Sequence, residues 1–298
     1  MSKKNAYELE DAFFDVELSP IYAATDREED GQFIMFDRSV KIPGFKAVKR
    51  VSDGMIYSVV KDSYELITNR EAVELGKKCF EQVFGEDPTD MMEFFNLRMP
   101  YSKSYCTIDF LAKQERVYLG NKKNEEWRLF LRISNSYNRK TALKFDIGFC
   151  RWICKNGMIF GKNSIEFKYC HNRNSASIEA DFNLKYGAIS AIKEIFRKKI
   201  EQLNQKEVKR SDFMPEISRA LQFRAPKNEK EEAEEKERDA HLENLIDSYI
   251  AENGETAYAL LNVLTHYASR PAHCLSALEN DPDTLERRVG EWMLKQVS

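Results

Sequence analysis

The sequence predicts an α+β fold, in which an antiparallel sheet is backed by helices and followed by a helical C-terminal module. Residues 33–68 and 100–170 contain short runs rich in β-branched and aromatic residues between turn signals, as strands do. From residue 187 onward, apolar residues recur at the three- and four-residue spacing of amphipathic helices. Strands grouped first and helices grouped later are typical of α+β proteins.

The first helix is predicted between two strand-rich regions. Pro43-Gly44 and Ser52-Asp53-Gly54 predict turns among the early strands. A helix with one apolar face is predicted over residues 71–84. Thr68 or Asn69 can cap it, because a short side-chain oxygen accepts from the free backbone N–H groups of the first turn.

The middle of the chain predicts a strand-rich core. Trp127–Ile133 and Ala142–Phe149 predict two neighbouring strands, joined by a hairpin turn at Ser136-Tyr-Asn138. Asn156-Gly157 is a turn signal, because both residue types tolerate positive φ. Ile165–Tyr169 predicts a further strand.

Changes in composition divide the chain into four parts. Residues 1–30 have 3 basic and 9 acidic side chains without periodicity, which predicts a disordered acidic arm. An α+β core is predicted over residues 31–225, with its second helix over 187–210. Residues 226–240 hold 7 acids and 4 bases, which indicates a charged linker or an exposed helix. Residues 241–298 are predicted to form a helical module.

The charge of the chain is unevenly distributed. Leu97–Ser175 has 16 Lys and Arg against 6 Asp and Glu, whereas the whole chain has a net charge of −3. The same segment contains 13 aromatic residues. Cations neutralise phosphates and aromatic rings stack on bases, so this composition indicates a surface that binds a nucleic acid.

Strand periodicity selects candidate residues for that surface. Arg128 and Arg132 are four apart on one predicted strand and therefore share a face, with Lys144 on the next strand. If the neighbouring aromatic rings share that face, a single strand can bind along it; if they point inward, they belong to the core. The candidate nucleic-acid-binding residues are Arg128, Arg132, Arg139, Lys140, Lys144, Arg151, Trp127, Tyr137 and Trp152.

Two metal-dependent alternatives are weaker. Cys150, Cys154, Cys170 and His171 have zinc-ligand residue types, but Cys170 and His171 are adjacent and would point to opposite faces of a strand. Buried free thiols are the competing interpretation, and we predict no metal site.

A metal-dependent nuclease needs carboxylates that converge on magnesium. Asp109, Asp146 and Glu166 are on predicted strands, yet carboxylates among so many cations are more often ion-pair partners. The sequence also lacks GxGxxG, GxxxxGK[ST], HExxH and GxSxG. We therefore predict no catalytic residue and no cofactor.

Hydropathy predicts the cellular setting. No stretch approaches 18 consecutive apolar residues, and the N-terminus lacks the apolar run of a signal peptide. We expect a cytoplasmic protein that does not bind membranes.

Two stretches resemble a known family. The first is Ile56–Ala72, and the second joins Leu131–Ser136, Ala142–Phe145 and Phe149–Met158. In order and spacing they resemble the phage/plasmid-like family called domain of unknown function 932. The resemblance covers about residues 51–175 and leaves the C-terminal helices outside. It implies a mobile-element setting and no defined activity.

These observations lead to one expected function and one alternative. We expect a phage- or plasmid-type protein that binds nucleic acid, single-stranded DNA in particular, in replication, recombination or annealing. The alternative is a counter-defence or host-interaction protein that binds a protein partner through its acidic arm and helical module. The sequence leaves self-association open.

Overall fold

The computed structural model describes residues 7–29, 32–84, 92–118, 126–151, 156–159, 166–169 and 186–296. The first elements of the described part are a short 3-10 helix, Leu9–Ala12, and a three-stranded antiparallel sheet. The strands of this small sheet are β1, Val16–Glu29, β2, Gln32–Arg50, and β3, Ile56–Lys61, in the order β1-β2-β3.

A second, six-stranded antiparallel sheet forms the centre of the fold. Its strands are β4, Met92–Arg98, β5, Tyr105–Tyr118, β6, Glu126–Ser136, β7, Leu143–Arg151, β8, Asn156–Ile159, and β9, Glu166–Tyr169. They follow the order β4-β5-β6-β7-β8, and β9 also pairs with β7. Strand β6 is central, and all but its first residue are buried.

Six helices accompany the sheets in the described part of the chain. They are α1, Asn69–Phe84, α2, Tyr186–Gln205, α3, Arg210–Leu221, α4, Glu229–Asn253, α5, Ala257–Ser269, and α6, Pro282–Gln296. Helix α5 is apolar on nearly all sides and almost completely buried, as expected for a helix surrounded by others. One hydrophobic core runs from α1 and the six-stranded sheet through α2 to α6.

Helix α1 begins with a capping box, as the sequence predicted. The Thr68 hydroxyl accepts from the backbone N–H of Glu71 at 3.2 Å, and the Glu71 carboxylate accepts from the backbone N–H of Thr68 at 2.7 Å. Gly76 on the same helix lies against Ile133 and Phe145 of the central sheet. The α+β class is confirmed, although two sheets replace the single sheet that was expected.

The predicted disordered arm is wrong for the residues that the structure describes there. Residues 7–29 form the 3-10 helix and β1, and β1 pairs with β2 along its length. Four of the nine acidic residues that suggested disorder lie on β1, where Glu17 forms an ion pair with Lys49 at 2.7 Å. Ala12 is fully buried and fixes this segment to the core.

Of the two interpretations of residues 226–240, the helix is confirmed and the linker is wrong, because residues 229–240 are the first half of α4. Asn228 caps this helix by accepting from the backbone N–H of Glu231 at 3.0 Å. Arg238 is buried within the charged stretch, with its guanidinium 4.2 Å from the Phe223 ring centroid. The C-terminal helices share the main hydrophobic core with the central sheet.

Two predicted turns lie inside strands. Pro43-Gly44 lies within β2, where Gly44 has φ +78° and the register with β1 shifts, so the pair forms an irregularity rather than a chain reversal. Asn156 and Gly157 are the first residues of β8, paired with Arg151 and Cys150. The turns at Ser52-Asp53-Gly54 and at residues 137–141 are present.

Candidate functional site

Five of the nine predicted nucleic-acid-binding residues are buried. Arg128, Arg132 and Arg151 are 7%, 2% and 3% exposed, and Trp127 and Tyr137 are fully buried. The prediction that they share a solvent-facing surface is wrong, because each arginine pairs with carboxylates and the two rings belong to the core. Trp152 lies outside the described residues.

Arg132 is the centre of a buried charge network, defined as Arg98, Asp109, Arg132, Asp146, Asp283, Glu286 and Arg287. Its guanidinium donates two hydrogen bonds to Asp109 at 2.7 and 2.9 Å. It also pairs with Glu286, and with Asp283 at 3.3 Å. Asp109 is its register partner on β5, whereas Asp283 and Glu286 come from α6.

Two further arginines complete the network. Arg287 of α6 pairs with Asp146 of β7 and, at 3.1 Å, with Asp283. Arg98 of β4 lies 3.5 Å from Asp109 and 3.8 Å from Glu286. Ion pairs thus connect four strands of the central sheet to α6.

The network shifts the pKa values of Asp283 and Arg132. Burial opposes ionisation of Asp283, but the positive charges of Arg132 and Arg287 outweigh burial and lower its pKa to about 2. Burial alone would lower the pKa of Arg132, yet the carboxylates of Asp109 and Glu286 raise it well above its ordinary value. The ionised state of these residues is therefore the state that joins α6 to the sheet.

This geometry bears on the nuclease alternative. Asp109 and Asp146 flank Arg132 on the neighbouring strands, so the sheet does bring two of the three candidate carboxylates near one place. Each carboxylate forms an ion pair with a guanidinium group, Asp109 with Arg132 and Asp146 with Arg287, as the ion-pair interpretation predicted. The side chain of Glu166 lies outside the described residues.

The other two buried arginines among the candidates, Arg128 and Arg151, connect different elements. Arg128 pairs with Glu126 at 2.6 Å and with Glu93 of β4 at 3.0 Å. Arg151 lies 3.7 Å from Glu252 of α4, and its guanidinium is 5.7 Å from the Tyr249 ring centroid. Arg151 therefore has a structural role in the contact between β7 and α4.

The two buried aromatic candidates also join elements. The Trp127 indole N–H donates to the Tyr258 hydroxyl of α5 at 3.1 Å. The Tyr137 ring stacks on Tyr57 of the small sheet, with centroids 5.6 Å apart. Its hydroxyl accepts from the backbone N–H of Asn69 at 2.8 Å.

The polar residues of the family-like motifs support the start of α1. The buried Asn135 side chain donates to the Asn69 side chain and to the Ile67 carbonyl, both at 3.0 Å. Asn69 in turn donates to the Ala12 carbonyl at 2.9 Å. Ser136 closes the β6–β7 turn by donating to the Thr141 carbonyl at 2.6 Å. These contacts are structural.

The remaining cationic candidates lie near the start of β5, the end of β6 and the start of β7. Residues 101–105 and 137–141, which we call the loop end, are adjacent turns, because the Ser104 carbonyl accepts from the backbone N–H of Tyr137 at 2.8 Å. Arg139 and Lys140 are exposed at the second turn. Lys144, on β7 beyond that turn, is half-buried.

Aromatic rings accompany the cations of the loop end. Tyr101 is 98% exposed, and the Lys140 ammonium lies 4.1 Å from the Tyr105 ring centroid. Lys103 of the first turn donates to the Asp11 carbonyl at 3.4 Å, and its ammonium lies 5.6 Å from the Phe14 ring centroid. In the described part of the chain, no carboxylate lies within ion-pair distance of Lys103, Arg139 or Lys140. Sequence reasoning missed Tyr101 and Lys103 because it favoured strand residues over turns.

The four residues of the zinc alternative, which the sequence did not favour, are only partly described. Cys150 is buried, and burial raises the pKa of its thiol. Cys154, Cys170 and His171 lie outside the described residues. Of the described residues, one group of three combines carboxylates and a histidine closely enough for a metal ion, namely Glu234, Glu237 and His273.

Fold and site together define an α+β protein whose last helix is joined to its central sheet by buried ion pairs. A family model described as "Domain of unknown function (DUF932)" matches residues 56–290, so the chain belongs to this family. The match includes the C-terminal helices, which the sequence resemblance had placed outside it. Comparisons with curated proteins and with solved structures give no significant match. None of the helices described here is both long and apolar enough to cross a bilayer.

Proposed function

We propose that the protein binds single-stranded nucleic acid, DNA in particular, through the loop end, as a non-enzymatic factor in replication, recombination or annealing. One observation carries the proposal: Lys103, Arg139 and Lys140 have no carboxylate partner among the described residues, and the loop end also holds the exposed Tyr101 and the Lys140–Tyr105 contact. By contrast, the buried arginines of the central sheet are ion-paired. Cations without carboxylate partners, close to an exposed tyrosine, suit phosphates and unstacked bases.

The number of cations sets the expected salt dependence. For single strands, three phosphate contacts give a slope of log affinity against log salt of about −2, which is about a 20-fold loss between 50 and 200 mM salt. The fully exposed ring of Tyr101 adds stacking energy that salt does not screen. The phage- or plasmid-type setting implied by the sequence resemblance is consistent with this activity.

The test is a fluorescence-anisotropy titration with single-stranded DNA, duplex DNA and RNA at several salt concentrations. In the triple variant K103Q, R139Q and K140Q, we expect the slope for single-stranded DNA to approach zero and the affinity to fall at least tenfold at low salt. The matched control is K209Q, K230Q and K236Q, which removes three exposed lysines elsewhere. Equal effects of the two variants, or salt-independent binding, would contradict the proposal.

A protein-binding role is the second candidate, favoured by exposed apolar side chains on and beside the small sheet. Seven of the eleven large apolar side chains found exposed in the described part lie there, which concentrates them on one region. They are Tyr22, Val40, Phe45, Val51, Met55, Ile56 and Val59. A concentrated apolar surface is typical of a protein interface.

A second copy of the chain is the partner that can be tested directly. If this surface mediates self-association, sedimentation velocity should show an oligomer for the wild type and a monomer for I56T with V59T, whose threonines keep β-branching. I195T with L278T changes two apolar residues exposed elsewhere and should leave the oligomer intact. A wild type that is monomeric at all concentrations would exclude a second copy of the chain as the partner.

A further inference from the structure

Two carboxylates and an imidazole meet beside α4, far along the chain from the loop end. Glu234 and Glu237 are one turn apart on α4, and His273 comes from the segment between α5 and α6. The His273 Nδ1 atom lies 2.9 Å from a Glu237 carboxylate oxygen and 3.4 Å from a Glu234 carboxylate oxygen. One ligand atom from each residue lies within 4.8 Å of the others.

The charge environment distinguishes these two glutamates from most other acids of the same helix. Glu231 forms an ion pair with Arg224 at 2.7 Å, and Glu235 forms one with Arg238 at 3.1 Å. Across the described ranges, neither Glu234 nor Glu237 forms an ion pair with a lysine or an arginine. Their shared partner is a histidine, a side chain that binds metals when neutral.

The distances fit a coordinated cation. With a metal–nitrogen distance of about 2.0 Å, a metal–oxygen distance of about 2.1 Å and tetrahedral angles, nitrogen and oxygen ligands are about 3.3 Å apart. The two observed separations fall on either side of this value. Nitrogen with oxygen ligands suits zinc and similar transition metals, whereas magnesium and calcium prefer oxygen alone.

A cavity lies beside the three residues. Its volume is about 600 Å³, and Glu234 and His273 line it together with Cys274, Asn280 and others. A metal held by the three side chains would therefore keep its fourth position open to water from this cavity. The bound ion would also join the α5–α6 segment to α4.

We propose that Glu234, Glu237 and His273 form a binding site for a divalent transition-metal ion of the zinc type. The site is independent of the loop end and of nucleic-acid binding. Because its ligands come from two segments that pack together only in the folded chain, binding should also raise the melting temperature.

The test is calorimetric titration of the chelator-treated full chain with zinc, and with magnesium in parallel. The variants are E237Q, which keeps the side-chain shape, and H273N, in which asparagine tolerates the left-handed backbone at φ +52°. The matched control is E232Q, an exposed glutamate on the same helix. Cobalt(II) spectra distinguish this site from a cysteine site, because thiolate ligands give charge-transfer absorption.

We expect the wild type and E232Q to bind zinc equally and more tightly than magnesium, without thiolate absorption in the cobalt form. E237Q and H273N should each lose at least about tenfold in zinc affinity while remaining folded by circular dichroism. Unchanged zinc affinity in both variants would overturn the proposal. The absence of saturable zinc binding by the wild type, or cobalt bound with thiolate absorption alone, would also overturn it.

Discussion

The buried charge network gives a quantitative prediction for Arg132→Met. The Arg132 side chain is 2% exposed and holds two buried carboxylates, Asp109 and Glu286, each 3% exposed. Removal of one partner from a buried ion pair costs about 3–5 kcal/mol, because the other charge stays buried without compensation. Arg98 remains within 3.8 Å of both carboxylates, so we expect a loss near the lower end, about 3 kcal/mol.

Urea unfolding followed by circular dichroism measures this loss. Arg219→Met removes an exposed arginine, 72% exposed and paired with Glu216, and should change the free energy of unfolding by less than about 1 kcal/mol. The triple variant R132M, D109N and E286Q removes the unpaired charges and should recover most of the stability. The loss in R132M should also persist in high salt, because buried pairs are weakly screened.

Two results would refute this account of Arg132. The first is a loss below about 1 kcal/mol, which is the magnitude of an exposed ion pair. The second is a triple variant that is as unstable as R132M, because the cost would then come from lost packing rather than from uncompensated charge.

Two further predictions concern a histidine and a glycine. Burial lowers the pKa of His266 from 6.5 to about 4, so its contribution is complete above pH 6.5 and is lost as the pH falls toward 4. Melting temperatures should therefore fall more steeply over this range for the wild type than for His266→Gln, and parallel pH profiles would contradict the assignment. A Cβ atom at Gly76 would lie 2.6 Å from the Ile133 Cδ1 atom, so Gly76→Ala should cost about 1–3 kcal/mol. Adding Ile133→Val removes that Cδ1 atom and should recover part of the loss in urea unfolding, whereas an unchanged loss would exclude this contact as the cause.

Local signals predicted the elements more successfully than their assembly. The periodicity around residues 71–84 and the cap at Thr68 depend on neighbouring residues, and both are confirmed. The predicted linker failed because its charged side chains were counted without their partners. Arg238 is buried there through contacts with Phe223 and Glu279, which lie far along the chain. Helix α3 was not predicted as a separate element, and Pro215 lies within it.

The candidate surface failed for a related physical reason. Strand periodicity places residues 128 and 132 on the same face of β6. It does not show whether that face is exposed to solvent. A buried arginine needs carboxylates, and those of Arg132 come from β5 and from α6, about 150 residues away. Of the candidates that the structure describes, the turn residues Arg139 and Lys140 are the exposed ones, because a tight turn between two strands leaves long side chains in solvent.

The charge excess of the middle segment therefore has two physical origins. Part of it compensates acids from the rest of the chain, as when Arg132 meets Glu286 and Arg151 meets Glu252. These contacts cross the boundary between the strand-rich and helical halves, and burial of both partners strengthens the Coulomb attraction between Arg132 and Glu286 relative to a surface pair. A basic segment and an acidic helical segment in one chain can thus indicate a fold that neutralises itself internally. Because that part of the charge is already neutralised, we expect the proposed binding of a nucleic acid to depend on cations without carboxylate partners, which in the described part of the chain include those of the loop end.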